Sequence, residues 1–158
     1  MVPAARMRSL GRALPFWLSL ALVPVVVVAA SLGGWWLLLV PACAWWLFAV
    51  LDAVGSPNEE NADPQTPEAD LHWYRLVTLI WFPLQAALIF GMLAYVQTAG
   101  HLGTVEKLGL FFGVGVLSGT IGITYAHELM HQRSKLERRL ADLLLASVLY
   151  SHFRSEHL

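Results

Sequence analysis

What most limits this chain is how far it runs without a formal charge. Ala13 to Leu51 contains no Asp, Glu, Lys or Arg, and neither does Leu108 to Ala126. Only 13% of the 158 residues are charged, where a soluble globular domain carries about a quarter. Segments of this kind belong in a bilayer, where each crossing takes about 20 apolar residues. The expected fold is therefore all-α: a polytopic membrane protein of about four transmembrane helices plus a short interfacial helix, forming one membrane domain over residues 1–158. A net charge of −1 gives no reason to expect a nucleic-acid partner; the expected partner is membrane lipid. The single cysteine, Cys43, excludes an intramolecular disulfide and a thiolate metal cluster.

Taken in order, the head carries Arg6, Arg8 and Arg12. Ala13 to Leu51 is too long for one crossing and suits two, with the turn at Ser31-Leu32-Gly33-Gly34 and Trp35-Trp36 at the interface beyond it. A cleaved signal peptide ending near Ala29-Ala30-Ser31 is the rival reading, disfavoured because a second apolar run follows at once. Asp52 to Asp70 holds three prolines and six acids and reads as a solvated connector, or as a docking surface that brings Asp52 near the site. Leu71 to about Val96 is the third span, anchored at its start by His72, Trp73, Tyr74 and Arg75. His101 lies in a short exposed loop. Leu108 to Ala126 is the fourth span, with glycines four apart at 109 and 113 and at 115 and 119, a spacing that lets helices approach closely. Gly113, Thr120, Thr124 and His127 are expected on one polar face. Four crossings put the arginine head and the basic run Arg133 to Arg139 on the cytoplasmic side together with His127. Leu140 to Tyr150 is apolar over only about 16 Å and cannot cross a core of about 30 Å. It must lie at the interface or dip in and return.

The chemistry gathers at His127-Glu128-Leu129-Met130-His131, where the fourth span meets the basic run. Histidines four apart share one helix face and can bind one metal. Ionisable residues at membrane depth are costly and by default functional. The second cluster, His152-Phe153-Arg154-Ser155-Glu156-His157, is returned to the same side by the short segment. The expected metal ligands are His127, His131 and His157. Glu128, Glu156 and His152 are expected around them, orienting imidazoles or packing at the interface. No side chain is assigned a direct catalytic role.

His127-Glu128-Leu129-Met130-His131, with Glu156-His157 after a gap of about 25 positions, resembles the first two histidine boxes of the integral-membrane alkane hydroxylases. These belong to the fatty acid desaturase/hydroxylase superfamily. The His152-Phe153 pair, the start of the loop at Leu51-Asp52 and Trp73-Tyr74-Arg75 are similar too, so the likeness covers most of the chain. The resemblance implies a non-haem di-iron site with two iron ions, dioxygen as oxidant and an alkane or related apolar chain as substrate. It implies electrons from a rubredoxin-type donor. The implied location is a bacterial inner membrane, with the metal site on the cytoplasmic side. In that family the second box continues as Gly-His-His, and a lysine is common where Gln132 stands here. Leu158 is apolar and follows no stop signal, so the expectation is the N-terminal part of a longer hydroxylase domain, inactive alone. Alkane hydroxylation, methyl hydroxylation of xylene type and desaturation share these boxes.

Two other classes fit parts of the pattern. In a membrane zinc protease the same two histidines hold zinc, Glu128 is the general base, and Glu156 or Asp142 completes the site. In a non-catalytic membrane scaffold no metal binds at all. The downstream Glu156-His157 favours the oxygenase, which needs many imidazoles.

Overall fold

The computed structural model describes residues 13–14, 16–47, 49, 53 and 71–157, with backbone alone at positions 47, 154 and 157. The acidic loop, including Asp52, lies outside the described residues. Among the described residues every element is helical. They are α1 (Leu18–Leu32), α2 (Gly34–Trp46), α3 (His72–Thr98), α4 (Thr104–Met130), α5 (Lys135–Ser147) and α6 (Phe153–His157). At 27 residues each, α3 and α4 are about 40 Å long and apolar enough to cross a membrane. By themselves α1 and α2 are shorter. Several large apolar side chains stand out of the bundle, among them Trp35, Trp46, Phe90 and Phe112. That distribution suits lipid contact and would be a liability in water.

Gly33 and Gly34 turn the chain between α1 and α2, both with positive φ (65° and 56°). The turn is held from outside itself. The Glu106 carboxylate, in the first turn of α4, accepts the N–H groups of Gly34 and Gly103. Glutamate here satisfies one of the orphan donors of the α4 N-terminus and the hairpin turn together. Tyr95 Oη donates to Ala30 O at 3.2 Å, and His101 Nε2 lies 3.2 Å from the same oxygen. The Gly33-Gly34 turn and the 99–103 loop therefore share one end of the bundle. A Cβ on Gly33 would come 2.9 Å from Leu102 Cδ2 and 3.0 Å from Glu106 Oε1. Gly33→Ala is expected to cost about 1–3 kcal/mol, from strain at positive φ and that crowding. Thermal unfolding in detergent, compared with Gly34→Ala where nothing lies within 4 Å, reads the crowding part.

The opposite end gathers aromatic side chains. Phe16 packs edge-on to Tyr74 (5.1 Å between ring centres), and Trp17 Nε1 donates to Trp73 O at 3.2 Å. Tyr125 Oη bonds Phe16 O and Ser19 Oγ at 2.9 and 2.8 Å. The buried core runs the length of the bundle, from Ala30, Val96 and Leu102 at the turn end to Val77 and Trp81 of α3, Ala126 and Leu129 of α4, and Ala141, Leu144 and Leu145 of α5. The last three recur at the helical spacing that lines one face.

The short segment runs along α3 and turns back. Arg75 pairs with Glu137, and Gln85 with Ser147, so α5 runs alongside α3 in the same direction. It ends level with the middle of α3. Leu149, with φ 59°, reverses the chain there, and Tyr150 N–H donates back to Leu145 O at 2.9 Å.

The glycine pairs divide. Gly113 meets Val40 at 3.1 Å and Gly109 faces Leu37, so these two admit α2, whereas nothing lies within 4 Å of Gly115 or Gly119. The expected single polar face of α4 is also broken. A π-helical turn spans Ser118–Gly122, and its wider turn rotates everything after it. Gly113 is buried in a helix interface while Thr124 is exposed.

Candidate metal site

The last turns of α4, Ile123–Met130 with His131 as the C-cap, carry the histidine pair. Leu129 and Met130 are buried and anchor the helix, which leaves His127 half-buried and His131 exposed. The two Nε2 atoms face each other at 3.4 Å, with ring centres 4.7 Å apart. Two imidazoles on one tetrahedral metal, with bonds of about 2.0–2.1 Å, have nitrogens roughly 3.3 Å apart. The separation of the pair matches that of two imidazoles on one cation.

Glu128 is placed on the other ring nitrogen. Its Oε1 lies 3.5 Å from His127 Nδ1, on a side chain 61% exposed. A carboxylate on that side of the ring is placed to orient the imidazole with Nε2 towards a metal. Gln132 donates to Glu128 O at 3.2 Å.

The second cluster arrives beneath this pair. The Phe153 ring lies 6.3 Å from the His127 ring and 5.2 Å from Tyr150. His152 is exposed, stacks edge-on to Tyr150 at 4.9 Å, and its carbonyl accepts the N–H groups of Ser155 and Glu156. Glu156 is exposed on α6. The side chain of His157 falls outside the described residues. Among the described residues no three His, Cys, Asp or Glu side chains converge on a metal position. The structure thus joins His127, His131 and Glu128, and brings Phe153 but not His152 or Glu156 to them.

Two features escaped the sequence reading. Arg75, expected only as an interface anchor, forms a two-pronged pair with buried Glu137, donating from Nη2 to Oε2 at 2.7 Å and from Nε to Oε1. Glu137 sits in a basic run and carries no local sign of burial. Gln85 is a lone amide inside an apolar span, a signal that polar residues at membrane depth make legible. An apolar cleft of about 320 Å³ opens between α3, α4 and the α5 tip, lined in part by Met92, Phe111, Val114, Ser118 and Leu149. Ser118 lies nine residues before His127, roughly 13 Å along the helix.

No protein-family model and no solved structure matches the chain. Curated proteins do. Alkane 1-monooxygenase 2 of Pseudomonas aeruginosa is 33% identical over 126 residues, covering 75% of this chain and 32% of that protein. Alkane 1-monooxygenase 1 of the same organism is 33% identical over 132 residues, 72% of this chain and 33% of that protein. The alkane 1-monooxygenase of Pseudomonas putida is 27% identical over 147 residues, 90% of this chain and 35% of that protein. The chain spans about a third of the length of the curated relatives it matches.

Proposed function

Because this chain is a relative of the alkane 1-monooxygenases, we propose that it supplies part of the metal centre of a membrane monooxygenase that hydroxylates an alkane or related apolar chain. The observation that carries this is the pair of facing Nε2 atoms, 3.4 Å apart, at the end of a helix long and apolar enough to cross a membrane. His127 and His131 are the ligands, with His157 as a third. When bound, a non-haem di-iron group supplies the activation of dioxygen that an unactivated C–H bond requires. Glu128 holds the His127 ring by its Nδ1, and Phe153 packs an apolar wall against the same ring, keeping water from it. The open cleft beside the α5 tip offers an apolar chain a surface at membrane depth. Electrons come from a rubredoxin-type protein. The hydrolytic zinc reading finds less support: a general base must reach metal-bound water, and Glu128 lies on the ring nitrogen away from the shared position.

Four crossings complete the proposal. Residues 13–14 and 16–17 are helical as well and add to the first arm ahead of α1. This arm touches α3 at both ends, through Phe16 and Tyr74 and through Ala30 and Tyr95. The basic run then places His127 on the cytoplasmic side of an inner membrane. With Cys43 replaced by serine, H101C should react with an impermeant thiol reagent applied outside, and R133C only after permeabilisation. The reverse pattern would sink the orientation. Metal analysis of the full-length protein tests the centre itself: iron is expected, and zinc with dioxygen-independent activity would refute it.

A further inference from the structure

We infer that Gln85 is a positioning residue: it sets the rotation of the His127–His131 pair against the depth at which the chain turns back towards His157. The inference rests on the metal-site reading above. Gln85 lies at the middle of α3 and is 1% exposed. A buried primary amide needs partners, and this one has them on two elements. Trp81 Nε1 donates to its Oε1 at 2.8 Å, and its Nε2 donates to Ser147 Oγ at 2.8 Å. Ser147 passes the link on, donating to Leu144 O at 2.6 Å. Ser147 is the last residue of α5, immediately before the Val148–Leu149 reversal that leads to Phe153 and the His127 ring.

The same amide lies against α4. A Cβ on Gly122 would overlap Gln85 Oε1 and sit 2.9 Å from its Nε2. Only bare backbone admits the amide there. Gly122 closes the π-helical turn, and His127 follows five residues later. The rotation of the histidine pair is therefore set at the turn that Gln85 touches, and the depth of the returning chain is set at the residue it bonds. Arg75 and Glu137 fix the start of α5, and Gln85 fixes its end. One side chain thus gauges two ligand-bearing segments against each other without reaching either ligand.

Distances in the metal-free, full-length protein in nanodiscs test this. Cys43 is replaced by serine and nitroxides are placed at R133C and S151C, both exposed positions. The parent should give one narrow distance distribution. Gln85→Leu keeps the volume and removes both hydrogen bonds, and it should at least double the width. Ser147→Ala should broaden it less, Ser147→Thr should restore it, and Gly122→Ala should match Gln85→Leu. On the iron-loaded enzyme, Gln85→Leu should lower kcat about tenfold or more, as loss of a group that orients ligands does, with KM for the apolar substrate unchanged. If Gln85→Leu does not fold, Ser147→Ala and Ser147→Thr decide the matter alone. Narrow, unshifted distances in Gln85→Leu and Ser147→Ala would overturn the inference. Because these distances need no metal, absence of iron chemistry in the parent would refute the oxygenase reading and leave the positioning result to stand or fall separately.

Discussion

His127→Ala and His131→Ala, each made in the full-length protein, are expected to remove bound iron and to bring dioxygen-dependent hydroxylation to background. Each deletes one of two imidazoles whose Nε2 atoms face each other at 3.4 Å, and so breaks the chelating pair at the centre of the proposed site. His157→Ala, which removes the proposed third ligand, should do the same. Glu128→Gln separates the chemistries. Its carboxylate lies on His127 Nδ1 rather than at the shared position. An orienting partner of this kind is typically worth about 10–100-fold, so part of both metal and activity should survive. A general base contributes about 10²–10⁴-fold, and its loss would spare the metal while removing turnover. Metal content measured beside product formation, with and without an electron donor, distinguishes the two. Retained zinc, dioxygen-independent activity and an inert His157 would together reverse the assignment.

Arg75→Ala is expected to destabilise the protein far more than Glu137→Ala, although both break the same pair. The Arg75 side chain is 45% exposed and that of Glu137 only 3%. Without Glu137, the guanidinium can turn to water along its apolar stem. Without Arg75, a carboxylate stays buried and unmatched, a loss of about 3–5 kcal/mol for a buried pair. Thermal unfolding in detergent of the two single variants and of Arg75→Met/Glu137→Met compares them. The double variant should recover much of the loss, because the buried charge is gone. Equal losses for both single variants would show that water reaches Glu137 more freely than its burial implies.

Much of the architecture was legible because it depends on local quantities. The turn between the first two helices was expected at Ser31 to Gly34, and it stands at Gly33-Gly34, where positive φ suits glycine. The apolar segment after Leu140 was too short to cross, and α5 ends at Ser147 with the chain reversing at Leu149. The pairing of His127 with His131 followed from a spacing of four. Helix ends were less legible: α4 begins at Thr104, four residues before the expected Leu108, because Glu106 caps it and holds a turn 72 residues away.

The sequence by itself therefore determined the helical class, the segments apolar enough for a bilayer, the turn glycines and the presence of two imidazoles on one face. Each follows from hydropathy, chain length or helical period within one segment. Only the tertiary structure decided which polar groups meet inside. Arg75 finds Glu137, and Gln85 finds Ser147, each across 62 residues. The π-helical turn rotates the histidines away from the face that a regular helix would give them. The physical reason is that apolar helix faces are nearly interchangeable, so hydropathy says that a segment is buried without saying against what. The neighbour is chosen by a few close approaches, such as bare Gly122 under the Gln85 amide, and by polar groups that must find partners across the bundle.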